Sequence, residues 1–268
     1  MMNQGRFDIG YMDTLAAGDS SLHRIDPRIK LITTVAFIAT VVSFSKYAIF
    51  SLIPFFSFPI ILIVSGGLPA RYILGKVLLV SPLAVLVGIF NPVFDRAIIY
   101  HIGSIGISGG WVSFMSILLR FVLTVTSALA LVALTGFNSV CIALDRFKVP
   151  RPFIVQLLFL YRYMFVLSEE SERMSRARAM RSFSGQTIRF KTFISLIGHL
   201  LLRTLDRAER IYRAMCCRGF DGHIRIIRSL RIDLKDMIFI VFWIALFISF
   251  RFFDIPLKLG ESVMRIFS

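Results

Sequence analysis

The sequence predicts an all-α, polytopic membrane protein with about five transmembrane helices and a cytoplasmic part built from two amphipathic helices. Apolar residues make up 56% of the 268-residue chain, and 27 of them are phenylalanine. These residues are concentrated in runs of roughly twenty, the length that a helix needs to cross about 30 Å of hydrocarbon. Most of the net charge of +15 lies in a single segment between two such runs.

Residues 1–28 are predicted to form a polar N-terminal arm, without the basic start and apolar run of a signal peptide. Asp26 and Pro27 at its end suit the N-cap and the first turn of a helix. The apolar runs that follow predict five spans, of which the second should be kinked by Pro54 and Pro59. The spans cover residues 29–45, 48–66, 77–94, 111–136 and 236–253.

The segments between these spans are predicted to be loops. Residues 66–76 form one of them and carry Arg71 and Lys76. A longer loop follows the third span and holds Asp95 and His101 together with several glycines. The three parts of the chain are therefore expected at 1–136 (arm and first four spans), 137–235 (basic region) and 236–268 (last span and tail).

The basic region at 137–235 sets the predicted orientation. It holds 19 of the 31 Lys and Arg residues and 8 of the 16 Asp and Glu residues, which gives a local net charge of +11. Cytoplasmic loops are enriched in Lys and Arg, so the region is predicted to lie in the cytoplasm. Five crossings then place the N-terminus in the cytoplasm, with the chain in the cell (inner, cytoplasmic) membrane. The apolar stretch 152–168, interrupted by Arg162, either spans or lies in the interface.

Two amphipathic helices are predicted inside the basic region. The first runs to about Phe183, and the second covers about 190–218. Four i,i+4 pairs in the favourable order support them, namely Glu169–Arg173, Glu172–Arg176, Asp206–Arg210 and Glu209–Arg213. The second helix also carries an apolar stripe at helical spacing, formed by Ile194, Ile197, Leu201, Leu205, Ala208, Tyr212 and Met215.

The two helices end alike, in an arginine, a small residue and a phenylalanine. Arg181 ends the first and Arg218 the second, and Gly185 and Gly219 are expected to supply left-handed residues there. A cation at a helix C-terminus complements the helix dipole, which is a purely structural role. Two matching ends favour a second interpretation, in which both guanidinium groups bind carboxylates on a partner.

The chain resembles the transmembrane T component of energy-coupling-factor (ECF) transporters, and most closely its CbiQ-like branch for cobalt or nickel uptake. The matching pieces are SSLHRIDPRIKLI (20–32), VPRPFIVQLLFLYRYMFVLSEE (149–170), ARAMRSF (177–183) and YRAMCCRGF (212–220). The hallmark of this family is a pair of Ala-Arg-Gly-type motifs at the ends of two cytoplasmic coupling helices. The resemblance covers nearly the whole chain.

The resemblance implies that two arginines dock into grooves on two ATPase subunits. The first motif falls on Met180, Arg181 and Ser182, and the second on Cys217, Arg218 and Gly219, with Arg178 one turn before Arg181. Ser182 replaces the usual Gly, while Met180 and Cys217 replace the usual Ala. A membrane substrate-capture subunit and the lipid bilayer are further implied partners, and a small accessory membrane subunit is left open.

One charged side chain lies inside a predicted span. Arg120 is about nine residues into the fourth span, roughly 14 Å deep at 1.5 Å per residue. An intramembrane charge is a functional candidate, and a packing contact with Asn91 or Asp95 is the alternative. His23, His101, His199 and His223 are scattered, and no cofactor or metal site is expected.

The same sequence gives less support to other function classes. There is no Walker A sequence, because GGLPARYILGK lacks the second glycine of a phosphate-binding loop, so the chain is not expected to be an ATP-hydrolysing enzyme. A lipid-modifying enzyme would need clustered acids, bases or metal ligands. The permease of another ABC importer usually carries one coupling loop of a different pattern, and a T component serving a vitamin such as biotin stays open. No nucleic-acid-reading module is visible.

Overall fold

The computed structural model describes residues 9–47, 49–94, 98–102, 105–181, 190–222 and 233–252. Helices account for nearly all of this part of the chain, which confirms the predicted all-α class. The α-helices are α1 Ile9–Ala16, α2 Ser21–Arg24, α3 Pro27–Val42, α4 Ser57–Ser65, α5 Ala70–Gly88, α6 Asn91–Phe94, α7 Gly109–Thr135, α8 Phe137–Arg146, α9 Arg151–Arg181, α10 Phe190–Cys217 and α11 Leu234–Phe252. A 3-10 helix, Phe50–Phe56, precedes α4.

The chain divides into two compact units. Unit 1 consists of Met1–Ala143 and Ser229–Ser268, and unit 2 of Leu144–Arg228. Unit 1 therefore contains α1 to α7 and α11, whereas α9 and α10 belong to unit 2. The chain leaves unit 1 within α8 and returns to it before α11, so two covalent connections join the units.

Three helices in the described residues are long and apolar enough to cross a membrane, namely α5, α7 and α9. The apolar segment Phe50–Ser65 is shorter, as is α3 with its 16 residues. The last helix, α11, is 19 residues long and carries Lys235, Asp236 and Arg251 near its ends. The membrane character of the chain is thus clear, while the count of five crossings stays a prediction.

The core of unit 1 lies where α3, the 3-10 helix, α4 and α11 meet beside α7. Phe37, Phe55 and Phe58 are at most 1% exposed. The Phe37 ring stacks on Phe58 with centroids 4.6 Å apart, and Phe58 meets Trp243 edge-on at 4.7 Å. These large side chains fill the space between helices, and that packing replaces the hydrophobic driving force that helices lack in lipid.

Small side chains let α7 pack against several helices at once. It contacts α1, α3, α4, α5 and α6. Its buried residues include Ser113, Ser116, Ser127, Ala130 and Ala133. Ser127 donates its hydroxyl hydrogen bond to the Leu123 carbonyl four residues earlier, so the buried polar group is satisfied within the helix.

One predicted boundary is wrong in position. The third span was expected to begin at residue 77, but α5 begins at Ala70, directly after Pro69 at the N-cap position. Arg71 and Lys76 therefore lie in the first turns of a helix rather than in a loop. The second span lies where the sequence predicts it, but it changes helix type: Pro54 lies inside the 3-10 helix, and α geometry begins at Ser57. A proline cannot donate an intrahelical hydrogen bond.

The segment predicted as a glycine-containing loop after the third span is partly folded. It forms a two-stranded antiparallel hairpin of β1 Ile98–Ile102 and β2 Ile105–Ser108. The second strand leads directly into α7, which begins at Gly109.

The two helices of unit 2 agree closely with the sequence. The predicted helix at 190–218 is α10, Phe190–Cys217, and the predicted helix ending near Phe183 is α9, which is described to Arg181. The apolar stretch 152–168 belongs to α9, so one continuous helix of 31 residues contains both the apolar and the charged part. At 1.5 Å per residue it is about 46 Å long, enough for a membrane crossing and three further turns.

Candidate functional site

The C-terminal end of α10 carries the second predicted motif. The Gly219 amide donates to the Cys216 carbonyl and the Phe220 amide to the Met215 carbonyl, both at 3.0 Å. Gly219 has φ +76°, which completes a Schellman ending and confirms the expected left-handed residue. Arg218 is the C-cap residue of this ending, and its side chain is exposed. The cation therefore projects from a geometrically fixed helix end.

The C-terminal end of α9 carries the first motif. Arg178 and Arg181 both lie in the last turn of the helix. Arg181 is exposed and Arg178 partly buried, while the Met180 side chain is 83% exposed. Ser182 and Gly185 lie outside the described residues. Two exposed arginines, Arg181 and Arg218, thus mark the two helix ends, as the sequence predicted.

A charged pair connects α9 and α10 away from their C-termini. Arg203 donates to the Glu170 carboxylate at 2.5 Å, and the Glu170 side chain is only 20% exposed. Within the helices, Glu169–Arg173, Glu172–Arg176 and Glu209–Arg213 form the predicted i,i+4 pairs. In the described part of α10 the fourth predicted pair, between Asp206 and Arg210, is not formed. The Glu170–Arg203 pair is one of the contacts between the two helices.

The predicted apolar stripe of α10 is largely exposed. Ile197 is 48% exposed, Leu201 57%, Leu205 58% and Tyr212 63%. The face that packs against α9 is instead the one next to the stripe, where Leu196, Leu200 and Thr204 are partly buried. Within unit 2, α10 therefore has one face on α9 and an adjoining apolar face without covering residues in the described chain.

Among the described residues, Arg120 binds a backbone carbonyl rather than Asn91, one of its two expected partners. Its Nη2 donates to the Ser45 carbonyl at 2.5 Å, just past the end of α3. Asn91 instead donates to Ser113 Oγ at 3.3 Å, and Asp95 lies outside the described residues. Ser45 follows the C-cap residue Ser43, so this hydrogen bond ties α7 to the segment directly after α3.

A second arginine binds the same end of α3. Arg251, in the last turn of α11, lies 3.4 Å from both the carbonyl and the hydroxyl oxygen of Ser43. Its guanidinium group stacks over the Phe44 ring, 4.4 Å from the centroid. The C-terminus of α3 is thus held by cations from α7 and α11, which favours the packing interpretation of Arg120.

At the opposite end of α3, four residues form a set of buried hydrogen bonds that we call the junction cluster. They are Asp26, Lys30, Leu134 (through its carbonyl) and Asp236. Asp26 accepts from the Arg28 amide at 2.9 Å, the N-cap that the sequence predicted. Asp236 Oδ1 accepts from the Asp26 amide at 3.1 Å. Lys30 Nζ donates to the Leu134 carbonyl at 3.1 Å, in the last turn of α7.

The cysteines divide into one buried and two exposed thiols. Cys141 is 1% exposed, and burial raises its pKa to about 11. Cys216 and Cys217 are exposed at the end of α10. The described residues contain no group of three or more His, Cys, Asp or Glu side chains that could hold a metal ion.

Residues 18–228 match the family model described as CbiQ, cobalt transport protein. The chain belongs to this family. The matched range includes the start of α3 around Asp26, Arg120 in α7 and both helices of unit 2. The CbiQ family match therefore covers both helix ends with exposed arginines, and the last helix, α11, lies beyond it.

Curated relatives agree with the CbiQ family match. The energy-coupling factor transporter transmembrane protein EcfT of Ruminiclostridium cellulolyticum is 28% identical over 82% of this chain and 88% of its own length. An uncharacterized protein of Methanocaldococcus jannaschii is 29% identical over 87% and 82%. The cobalt transport protein CbiQ of Rhodobacter capsulatus is 32% identical over 32% and 36%. The resemblance to ECF transmembrane T components is thereby confirmed, and the chain is a transmembrane transport protein.

Sequence reasoning missed Lys30, Asp236 and Arg251. Asp26 signalled the start of α3, but nothing in the sequence tied it to Asp236, 210 residues later. Charged residues at the two ends of the last apolar run were a usable signal, because ionisable groups at membrane depth are expected to be paired. Which groups pair with them is decided by tertiary packing.

Proposed function

We propose that this CbiQ-family chain is the coupling subunit of an ECF-type importer, in which Arg181 and Arg218 receive ATP-driven motion from two ATPase subunits. The C-terminal ends of α9 and α10 face the cytoplasm in this proposal, with the N-terminus on the same side of the cell membrane. The chain itself is not an enzyme and holds no cofactor. ATP hydrolysis takes place in its partners, and a membrane substrate-capture subunit receives the motion.

The observation that carries the proposal is the form of the two helix ends. Arg218 projects from a Schellman ending fixed by Gly219, and Arg181 from the last turn of α9. Both side chains are exposed. A planar guanidinium group binds carboxylates bidentately and with defined orientation, which suits the transfer of a push between two rigid bodies. The Glu170–Arg203 pair keeps both ends on one two-helix unit.

The substrate proposed is a cobalt or nickel ion. Cobalt rests on the name of the family and of one relative, and nickel on the resemblance found in the sequence. A vitamin such as biotin is the alternative substrate for the same coupling machinery. Three partners follow from this function, namely two ATP-binding cassette subunits and the capture subunit, with a small accessory membrane subunit left open. Nucleic acid is not among them, because the positive charge of unit 2 accords with a cytoplasmic membrane-protein segment.

The test is recovery of ATPase subunits with the purified chain after charge reversal. Arg181→Glu and Arg218→Glu are each expected to reduce recovery of one ATPase, and the double variant to abolish it, because a carboxylate would face the partner's carboxylates. The matched control is Arg207→Glu, an exposed arginine in the middle of α10. It changes net charge equally but lies away from the helix ends.

Recovery unaffected by the double change would contradict the coupling role of these residues. Equal loss in the Arg207→Glu control would mean that net charge, rather than the two helix ends, determines ATPase binding. Uptake of ⁵⁷Co²⁺ and ⁶³Ni²⁺ by cells that express the full transporter then decides the substrate class. Accumulation of biotin without either ion would favour the vitamin alternative.

A further inference from the structure

Two covalent connections join the units, one after α7 and one before α11. The outgoing connection follows the end of α7 and continues through α8. The returning connection re-enters unit 1 at Ser229 and reaches α11, which begins at Leu234. Any motion of unit 2 that travels along the chain must pass through these two points.

The N-terminal segment of the chain binds the outgoing connection. Lys30 donates to the carbonyl of Leu134, the penultimate residue of α7. Gly136, between α7 and α8, has φ +75°, and a Cβ at this position would lie 3.2 Å from the Ala16 Cβ. The end of the N-terminal arm is therefore packed directly against the link that leads out of unit 1.

The same segment binds the returning connection. Asp236, in the first turn of α11, accepts the Asp26 amide with Oδ1 at 3.1 Å and the Asp233 amide with Oδ2 at 2.9 Å. One carboxylate thus joins the start of α3 to the residues immediately before α11. Each of its oxygens has a backbone donor, and each donor belongs to a different element.

Burial makes the junction cluster stiff. Asp26 is 5% exposed, Lys30 4% and Asp236 4%. A buried charge that loses its partner keeps the full cost of desolvation, so these groups do not slip gradually past one another. The N-terminus of α3 and the two connections therefore keep a fixed arrangement.

We propose that Lys30 and Asp236 are positioning residues, which clamp both connections to the start of α3 so that motion entering from unit 2 moves α3, α7 and α11 together. The inference rests on the proposed function, because it assigns the path by which that motion enters the membrane part. Neither side chain contacts a partner in this account. Loss of either one uncouples ATP hydrolysis from uptake without detaching the ATPases.

Asp236→Asn is the sharpest variant, since it keeps shape and volume. An amide has one acceptor oxygen, so it can satisfy only one of the two backbone donors. Lys30→Met keeps most of the apolar stem and removes the donors, while Lys30→Arg restores a cation within reach of the Leu134 carbonyl. The matched controls are Arg24→Gln and Lys235→Gln, which remove exposed charges from the same two segments.

The intact transporter complex is measured in three ways for each variant, by ATPase recovery, by the rate of ATP hydrolysis and by uptake of ⁵⁷Co²⁺ or ⁶³Ni²⁺. Asp236→Asn and Lys30→Met should keep normal recovery and hydrolysis while uptake per ATP falls about tenfold, the order expected for loss of a charge-assisted buried hydrogen bond. Lys30→Arg should restore most of the wild-type uptake per ATP hydrolysed. An unchanged ratio, or equal loss in the controls, would overturn the inference.

Hydrogen exchange supplies a readout that needs no substrate. Addition of a non-hydrolysable ATP analogue to the wild-type complex should change amide exchange in α10 and also in α3 and α11. In Asp236→Asn the change should be confined to α9 and α10. If amide exchange changes in α3 and α11 equally in the wild-type and Asp236→Asn complexes, the inference is overturned, even if Arg181 and Arg218 bind the ATPases as proposed. If charge reversal at those arginines leaves ATPase recovery intact, the proposed function fails instead.

Discussion

Helices α7 and α10 have nearly the same length and opposite surroundings. The 27 residues of α7 include twelve that are buried, whereas none of the described side chains in the 28-residue α10 is buried. Helix α7 is the centre of unit 1 and contacts α1 to α6 and the 3-10 helix. The comparison teaches that unit 1 forms its own core, while α10 keeps an apolar stripe and a cationic end at its surface.

The difference follows from composition. Helix α7 has small and apolar residues around its circumference, so every face can approach a neighbour. Helix α10 concentrates apolar residues on one side and charged residues on the others, which is typical of a helix at a surface or an interface. The free energy of unfolding should therefore change strongly when packed side chains of unit 1 are substituted and weakly when side chains along α10 are substituted.

The largest expected effect comes from truncating the aromatic core. Phe58→Ala should lower the free energy of unfolding by about 3 kcal/mol, because the cavity forfeits contacts with Phe37 and Trp243. The matched change in α10 is Ile197→Ala, at a position that is 48% exposed, which should change stability by less than about 0.5 kcal/mol. Thermal unfolding of the purified protein in detergent measures both. Equal costs would remove the contrast between the two helices.

Alanine substitutions at two glycines, one packed against α7 and one in α10, should change stability in opposite directions. A Cβ at Gly88 would lie 2.8 Å from the Phe114 ring, whereas a Cβ at Gly198 in α10 meets nothing within 4 Å. Gly88→Ala should therefore destabilise the protein by about 1 kcal/mol, since overpacking outweighs the gain in helix propensity. Gly198→Ala should stabilise it by roughly 0.5–1 kcal/mol. Unfolding midpoints of the two variants that shift in the same direction would contradict this account.

The end of α10 should be more sensitive than its sides. Gly219 has φ +76°, so Gly219→Ala should cost about 1 kcal/mol of local stability in the last turn. Gly219→Asn should cost less, because asparagine tolerates left-handed backbone. Faster amide exchange at Phe220, which donates to Met215, is the measurement. Unaltered exchange in Gly219→Ala would mean that the ending does not depend on this glycine.

The elements that local sequence determines were predictable, and those that distant contacts determine were not. The bounds of α10 followed from its apolar period and Gly219, and the start of α3 from Asp26 and Pro27. The early start of α5 was not predicted, because α5 begins at Ala70, directly after Pro69 and before the apolar run on which the prediction rested. The partner of Arg120 is Ser45, 75 residues away, and no pattern in the sequence relates the two.

The candidate site divides in the same way. Arg181 and Arg218 were found from the sequence because each ends an amphipathic helix in a repeated local pattern. The junction cluster was not found, because its members come from α3, α7 and α11 and meet only in the folded chain. Local patterns thus predict where a partner would bind, while the path from that point into unit 1 requires the structure.

The most direct test of the central claim is thiol labelling of the helix end that is proposed to dock. Cys216 and Cys217 are exposed directly before Arg218, and Cys141 provides an internal reference because its side chain is buried and inaccessible to the reagent. Maleimide should label both exposed cysteines in the isolated chain at pH 7. In the complex with its ATPases, labelling of Cys217 should fall at least about tenfold, as for a desolvated interface position. Equal labelling in the free chain and the complex would contradict docking at Arg218.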